Sequence, residues 1–260
     1  MRIFIAALMI NALSFMVMRV YWRLTGKLSA EIVFPRQKFR TEDEGEVIFL
    51  SAGNLAQPRK AFEFLYSKLK RKQYAFLEFK MIGWSARETA KAIAKAVWPG
   101  NRVTMYAISV GDHVARYLDE SPALTQLQIY TINPCPCRRA VRKELRILLT
   151  VAAPIFWALC HMIGWLSVIP FIPATGGKYS LVLLADQYMT IAFDEPPIIY
   201  APRTQGVILS AADELLDNDY LEQAFADQKI ARVPTHHGDT VGMAFEYLRG
   251  VEKLLELPEE

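Results

Sequence analysis

The chain has 260 residues, 52% of them hydrophobic, and a formal net charge of +3. This length allows one domain with a large core, or one domain plus an insertion. Such a small net charge gives no indication of nucleic-acid binding. Three irregularly spaced cysteines argue against a disulfide framework and favour a reducing compartment.

Residues 3–18 are the first predicted element, an apolar helix without a charged residue, followed by Arg19, Arg23 and Lys27. This run is slightly shorter than the roughly 20 residues that cross a bilayer. We interpret residues 1–24 as a membrane anchor or an interfacial helix. A helix buried on the domain surface and a cleaved signal peptide are the alternatives, although charge directly after the apolar run disfavours the latter. The basic residues that follow predict a membrane-associated protein with its body on the cytoplasmic side.

Strands and helices then alternate along the chain. This alternation predicts an α/β fold with a mostly parallel sheet and helices on both faces. Ligand sites in such sheets lie beyond the carboxyl ends of the strands. The first predicted strands are 46–51, 74–79 and 103–108, the first predicted helices are 58–72 and 85–98, and an opening strand is expected near 32–34.

The segment from Val103 to His113 is a predicted buried strand followed by a helix, with Ser109 at the junction. The residues two places before and after the serine are Ala107 and Gly111, which gives the pattern A-x-S-x-G. This is one residue away from G-x-S-x-G, the nucleophile elbow, in which a sharp turn exposes a serine hydroxyl and needs small flanking residues. An ordinary serine at a helix start is the alternative.

After the next predicted strand, 127–132, come Cys135 and Cys137. No second Cys/His pair stands at a zinc-like spacing, so we interpret them as structural thiols and expect neither a metal nor a cofactor.

Residues 147–177 contain no Asp, Glu, Lys or Arg. The run is long enough to cross a membrane, but it contains three prolines and His161, which we expect to be a packed histidine. A basic segment precedes it. Basic side chains beside an apolar run suit anionic lipid headgroups, although an ordinary solvated helix face has the same composition. The basic residues are Arg138, Arg139, Arg142, Lys143 and Arg146.

Two further predicted strands end in residues suited to acid–base chemistry. Residues 205–213 end at Asp213, with Glu214 and Asp217 as competing carboxylates that also suit the start of a helix. Residues 229–235 lead into His236, His237 and Gly238, ahead of a helix predicted to begin near residue 239.

At these residues the chain resembles the α/β-hydrolase family, in which Ser, then Asp or Glu, then His follow in that order. The resemblance covers roughly residues 45 to 255. It implies a core of residues 25–137 and 196–260, and a hydrophobic cap or lid of residues 138–195. We expect this lid to line an acyl-sized pocket. A membrane span at this place would put the two halves of one sheet on opposite sides of the bilayer unless the chain doubled back.

The resemblance also implies roles for individual residues. Ser109 would be the nucleophile, Asp213 the acid and His237 the base, with His236 as the alternative base. His237 is preferred because its step into Gly238 resembles the family's common His-Gly step. The oxyanion hole would use the backbone N–H of Val110 and, from the loop after the first core strand, Asn54.

We therefore expect a carboxylesterase-like or lipase-like serine hydrolase that forms an acyl-enzyme intermediate. Its substrate would be a small-molecule or lipid ester with an apolar acyl part, its partner a membrane surface, and nucleic acid would not be bound. The alternatives are an acyltransferase that uses the same triad and a non-catalytic membrane-binding or partner-binding module of the same fold.

Overall fold

The computed structural model describes most of the chain beyond residue 101 and shorter stretches before it. The described residues are 2–25, 31–34, 46–51, 74–78, 85–96, 102–119, 121–122, 124, 126–172, 177–195, 203–237, 246, 249–250 and 253–254. The predicted helix 58–72, Asn54 and the start of the helix predicted near residue 239 lie outside them.

The helices and strands alternate as the sequence predicts. In chain order they are α1 (Arg2–Leu24), β1 (Glu31–Phe34), β2 (Glu46–Ser51), β3 (Tyr74–Glu78), α2 (Ala86–Ala96), β4 (Arg102–Ile108), α3 (Val110–Asp119), β5 (Gln126–Ile132), α4 (Lys143–Ile163), β6 (Val168–Ile172), β7 (Gly177–Ser180), α5 (Leu181–Phe193), β8 (Thr204–Ser210), α6 (Asn218–Ala224) and β9 (Lys229–Val233).

The main sheet has the strand order β1-β3-β2-β4-β5-β8-β9. β1 pairs antiparallel with β3, and the other neighbours pair parallel, which confirms the predicted fold class and the opening strand. Ile108 of β4 is in register with Ile132 of β5, and Ile132 with Ile208 of β8. The residues that follow these strands therefore meet at one edge of the sheet.

β4 is mostly apolar, as suits a strand that is covered by helices. Val103, Met105 and Ala107 are buried, as is usual for a central strand of a parallel sheet. α2 and α3 pack beside it through small and branched side chains, and Ser85 caps α2 by accepting a hydrogen bond from the N–H of Glu88 at 3.3 Å. This packing fixes the point at which β4 ends and α3 begins.

The segment predicted to be the cap lies between β5 and β8. It consists of α4, the antiparallel pair β6–β7, and α5, which packs on α4. α1 also packs on α4, so the N-terminal helix contacts the cap.

Candidate active site

Ser109 sits on a sharp turn between β4 and α3. Its φ of 48° lies in the left-handed region, which non-glycine residues adopt at a cost of about 1 to 3 kcal/mol. Its N–H donates to the carbonyl of Ile132 at 3.0 Å, and its own carbonyl accepts from the N–H of Asp112 at 3.0 Å and of Cys135 at 3.3 Å. The turn is thus held from both sides, as a nucleophile elbow requires.

His237 brings its ring to the serine. The Ser109 Oγ lies 3.1 Å from His237 Nε2. His237 follows β9, and the segment before it is anchored to the end of β8, because the N–H of Ala212 donates to the carbonyl of Thr235 at 3.1 Å. Ser210 adds a side-chain hydrogen bond to Thr235. The two parallel strands thereby carry the histidine to the same sheet edge as Ser109.

Asp213 holds the other side of the imidazole. Its Oδ2 lies 2.8 Å from His237 Nδ1, and its Oδ1 accepts from the N–H groups of Leu215 and Leu216, both at 2.8 Å. Both side chains are almost completely buried, with exposures of 6% for His237 and 1% for Asp213. An ionised carboxylate only accepts hydrogen bonds, so Nδ1 carries the proton and Nε2 is left to accept one from Ser109.

The Asp213 carboxyl is set up to stay ionised. Burial by itself raises its pKa, but the hydrogen bond from His237, the charge on that ring and the amides of Leu216 and Leu215 lower it. The net pKa lies below the usual value for an aspartate. A permanent negative charge therefore faces the histidine at neutral pH.

His236 points elsewhere. Its side chain is 70% exposed, and its Nδ1 lies 3.4 Å from Glu214 Oε2. The same Glu214 oxygen accepts the backbone N–H of His237 at 3.2 Å. Neighbouring side chains on an extended segment point to opposite sides, so His237 alone of this pair contacts Ser109.

The competing carboxylates also have other partners. Asp217 caps α6 by accepting from the N–H of Tyr220 at 3.1 Å. Glu214 lies at the surface against His236 and the His237 backbone. Of the three predicted candidates, Asp213 is the one whose carboxylate reaches the His237 ring.

Arg142 supports the acid turn, a role that sequence reasoning missed. Its Nη2 donates to the carbonyl of Asp213 at 2.6 Å and its Nε to that of Leu216 at 3.3 Å, while its backbone N–H donates to the carbonyl of Leu215 at 3.0 Å. Arg142 therefore bonds three carbonyl groups of this turn. The Asp213 carboxylate accepts hydrogen bonds from two N–H groups of the same turn. Arg142 and its partners are about 70 residues apart in the chain, so no local sequence pattern indicates these contacts.

These contacts give two residues of the basic segment a role within the protein, and the assignment of the segment to lipid headgroups stays a prediction. The guanidinium groups of Arg142 and Arg146 bond protein carbonyls, the latter those of Arg139 and Val141. Arg139 and Lys143 are exposed, so their side chains reach solvent.

Of the two predicted oxyanion-hole residues, Val110 and Asn54, only Val110 lies within the described residues. Val110 is the first residue of α3, where backbone N–H groups lack partners within the helix and the helix dipole favours negative charge. Val110 directly follows Ser109 in the sequence. Asn54 lies outside the described residues.

The remaining reactive groups near the elbow are buried. Burial is the main cause that lowers the pKa of His113 to about 4, so this histidine is neutral at physiological pH. Burial also raises the pKa of the Cys135 thiol, which keeps it protonated and weakly nucleophilic. Cys135, Cys137 and Cys160 are free thiols. Within the described part of the chain, no group of three His, Cys, Asp or Glu side chains forms a metal site.

Several solved structures with a similar architecture are hydrolases. An enol-lactonase from Burkholderia xenovorans LB400 matches with a TM-score of 0.58 and 14% identity, over 88% of this chain and 96% of its own. A hydrolase from Oleispira antarctica matches with a TM-score of 0.56 and 13% identity, over 83% and 93%. An alpha/beta hydrolase enzyme from a Medee basin deep-sea metagenome library matches with a TM-score of 0.55 and 11% identity, over 89% and 94%. Protein-family models and curated protein sequences give no match.

Proposed function

Because this chain has the α/β-hydrolase fold, we propose that it is a serine hydrolase that cleaves an ester through Ser109. The observation that carries the proposal is the continuous pair of hydrogen bonds from Ser109 to His237 and from His237 to Asp213, at 3.1 Å and 2.8 Å. A serine hydroxyl is a poor nucleophile until a base accepts its proton. This arrangement supplies the base and the carboxylate that orients it.

In the proposed acylation step, Ser109 Oγ attacks the ester carbonyl carbon while its proton passes to His237 Nε2. The imidazolium that forms is stabilised by the Asp213 carboxylate. The negative charge on the carbonyl oxygen is stabilised by the Val110 N–H at the start of α3. The carbon–oxygen bond to the leaving alcohol then breaks, and that alcohol takes the proton from Nε2.

Deacylation repeats these steps with water. His237 Nε2 removes a proton from the water, the resulting hydroxide attacks the acyl carbon, and Ser109 leaves with the proton returned from Nε2. The products are a carboxylic acid and the free enzyme. An acyltransferase would differ only in the acceptor, which would be another nucleophile in place of water.

For the substrate we propose a small-molecule or lipid ester with an apolar acyl part. Support comes from the apolar cap beside the site. The enol-lactonase of the same fold also has a lactone, a cyclic ester, in its name.

The test is labelling with a fluorophosphonate probe followed by peptide mapping. We expect one labelled residue, Ser109, and loss of labelling in Ser109→Ala, with Ser121→Ala as the matched control that keeps it. Wild-type protein that resists the probe would support the non-catalytic module instead. Turnover of acyl esters of increasing chain length, with and without a competing alcohol, then identifies the preferred acyl group and separates hydrolysis from acyl transfer.

A further inference from the structure

The outward faces of α1 and α4 are apolar. Eleven large apolar side chains on α1 and six on α4 are 45% to 88% exposed. Six large side chains of α4 are exposed, and the expectation that the apolar cap segment lines an acyl pocket stays a prediction. The exposed residues are Ile3, Phe4, Ile5, Met9, Ile10, Leu13, Met16, Val17, Val20, Tyr21 and Leu24 on α1, and Ile147, Leu148, Val151, Ile155, Leu159 and Met162 on α4, with Trp165 and Leu166 directly after it.

The inward faces carry the polar groups. Arg19 of α1 contacts Asp186 of α5, with Nη2 2.8 Å from Oδ2, and its Nη1 lies 2.9 Å from His161 Nε2 of α4. Asp186 also accepts from Trp157 Nε1 at 2.8 Å. The Asp186 side chain is completely buried and that of Arg19 is 13% exposed. An ion pair of these helices is therefore enclosed between them.

A second set of polar contacts lies nearer the N-terminus of α1. The Asn11 side chain donates to the carbonyl of Ile163 and accepts from the N–H of Trp165 at 3.3 Å. Ser14 Oγ accepts from Trp165 Nε1 at 3.2 Å, and the Phe15 ring packs edge-on against Trp165. Asn11, Ser14 and Arg19 of α1 thus point toward the cap, whereas most large apolar residues described on α1 are exposed.

This polarity is the reverse of that of a helix pair in a water-soluble protein, which buries its apolar stripe and exposes its polar face. Monomeric soluble proteins rarely expose a contiguous apolar patch larger than a few hundred Å². In a bilayer the preference is reversed, because lipid chains favour apolar side chains and polar groups associate between helices.

We propose that the α1–α4 surface inserts into the hydrocarbon interior of a lipid bilayer. α1 has 23 residues and α4 has 21, which at 1.5 Å per residue gives about 34 Å and 31 Å, close to the roughly 30 Å of a bilayer core. Both helices have the length and hydropathy of membrane spans. Only 6% of the apolar stretch of α1 and 17% of that of α4 is buried in the protein. Core helices of soluble proteins are mostly buried.

The basic residues at and just before the start of α4 set the depth of insertion. No charged residue occurs in residues 147–177, whereas exposed Arg139 and Lys143 lie at the end of α4 that joins the catalytic body. Basic side chains at that level suit lipid phosphates. Pro154 lies inside α4, and proline is more frequent in membrane helices than in soluble ones.

The exposure of α1 favours lipid over a protein partner. Residues 2–10 are exposed at every position but one, so this part of α1 is uncovered around its circumference, and a single docking face does not account for it. Hydrocarbon surrounds an inserted helix on all sides. This inference is independent of the chemistry of Ser109.

The test is flotation of the full-length protein with neutral phosphatidylcholine vesicles in about 1 M NaCl, where electrostatic attraction is screened within about 3 Å. We expect the wild-type protein to float. The double variant Ile155→Glu and Leu159→Glu should lower the bound fraction at least about tenfold, because charged side chains are costly in hydrocarbon. Gln223→Glu with Ala226→Glu, which adds the same charge at exposed positions of the body, should float like wild type.

Two outcomes would overturn the proposal. One is a wild-type protein that fails to float with neutral vesicles. The other is a cap variant that floats as well as wild type. Light scattering of vesicle-free samples detects a second copy of the chain on this surface, and a dimer that Ile155→Glu with Leu159→Glu dissociates would assign the surface to self-association instead.

Discussion

The guanidinium group of Arg142 donates a 2.6 Å hydrogen bond to the carbonyl oxygen of Asp213. Arg142 immediately precedes α4, and the neighbouring residues Val141 and Leu216 form an isolated bridge. The base of the cap is therefore fastened to the turn that carries the proposed acid. A displacement of α4 would be passed to the Asp213 carboxylate through these bonds.

Arg142→Ala should lower kcat by about tenfold or more with little change in KM, because small misplacements of a reacting group are costly and the acyl-binding surfaces are untouched. Arg142→Lys should recover only part of the loss, since an ammonium lacks the planar fork that bonds two carbonyls. Steady-state kinetics on a soluble short-chain ester measures both. Lys143→Ala, the exposed neighbour, serves as control, and a loss of the same size in that variant would contradict the assignment.

His237→Ala should reduce kcat by about a thousandfold or more, because the proposed base is removed. His236→Ala should change it by no more than about fivefold, because an exposed ion pair contributes at most about 1 kcal/mol. Turnover of the same ester by the two variants decides between the adjacent histidines. Comparable losses would leave the choice of base without support.

Asp213→Asn should reduce kcat by orders of magnitude, because an amide no longer fixes Nδ1 of His237 as the protonated nitrogen. Glu214→Gln should have a small effect, because Glu214 touches only the His237 backbone and the exposed His236 side chain. Fluorophosphonate labelling rates of the two variants give a comparison that does not depend on the substrate. Faster labelling of the Asp213 variant would refute its proposed role.

Asp213 should also make stability depend on pH. Its folded-state pKa lies below the ordinary value of about 4 that the unfolded chain retains. Ionised Asp213 therefore stabilises the fold above that pH, and the contribution is lost as the pH falls through the folded value. The free energy of unfolding of wild type minus that of Asp213→Asn, from denaturant titrations, should be constant near neutrality and shrink below about pH 4. A difference that grows on acidification has the wrong sign.

Arg19→Met should destabilise the cap by about 3 kcal/mol, because it leaves the Asp186 carboxylate buried without its cation. Adding Asp186→Asn should recover much of this loss, since the amide removes the unpaired charge and keeps an acceptor for Trp157. Thermal unfolding in detergent micelles, compared among wild type, the single variant and the double variant, tests the coupling. Additive losses would show that Arg19 and Asp186 act independently.

The sequence by itself determined the local features of this protein. The strand, the serine and the helix around Ser109 follow from hydrophobic pattern and from the small residues that a tight turn needs, and the structure has them at the predicted places. The alternation of elements likewise predicted the parallel sheet. These features depend on the backbone geometry of neighbouring residues, which a sequence shows directly.

Only the tertiary structure decided which side chains meet. β9 pairs with β8, and the segment after β9 directs His237, and not His236, toward Ser109. This direction depends on hydrogen bonds between strands. The bonds of Arg142 to the acid turn join parts of the chain about 70 residues apart. The outward direction of the apolar side chains on α1 and α4 was also undetermined, because a helix that is apolar nearly all round has no periodicity to orient it. Arg19, Asn11 and Ser14 face inward because they bond groups of α4, of α5 and of the segment after α4.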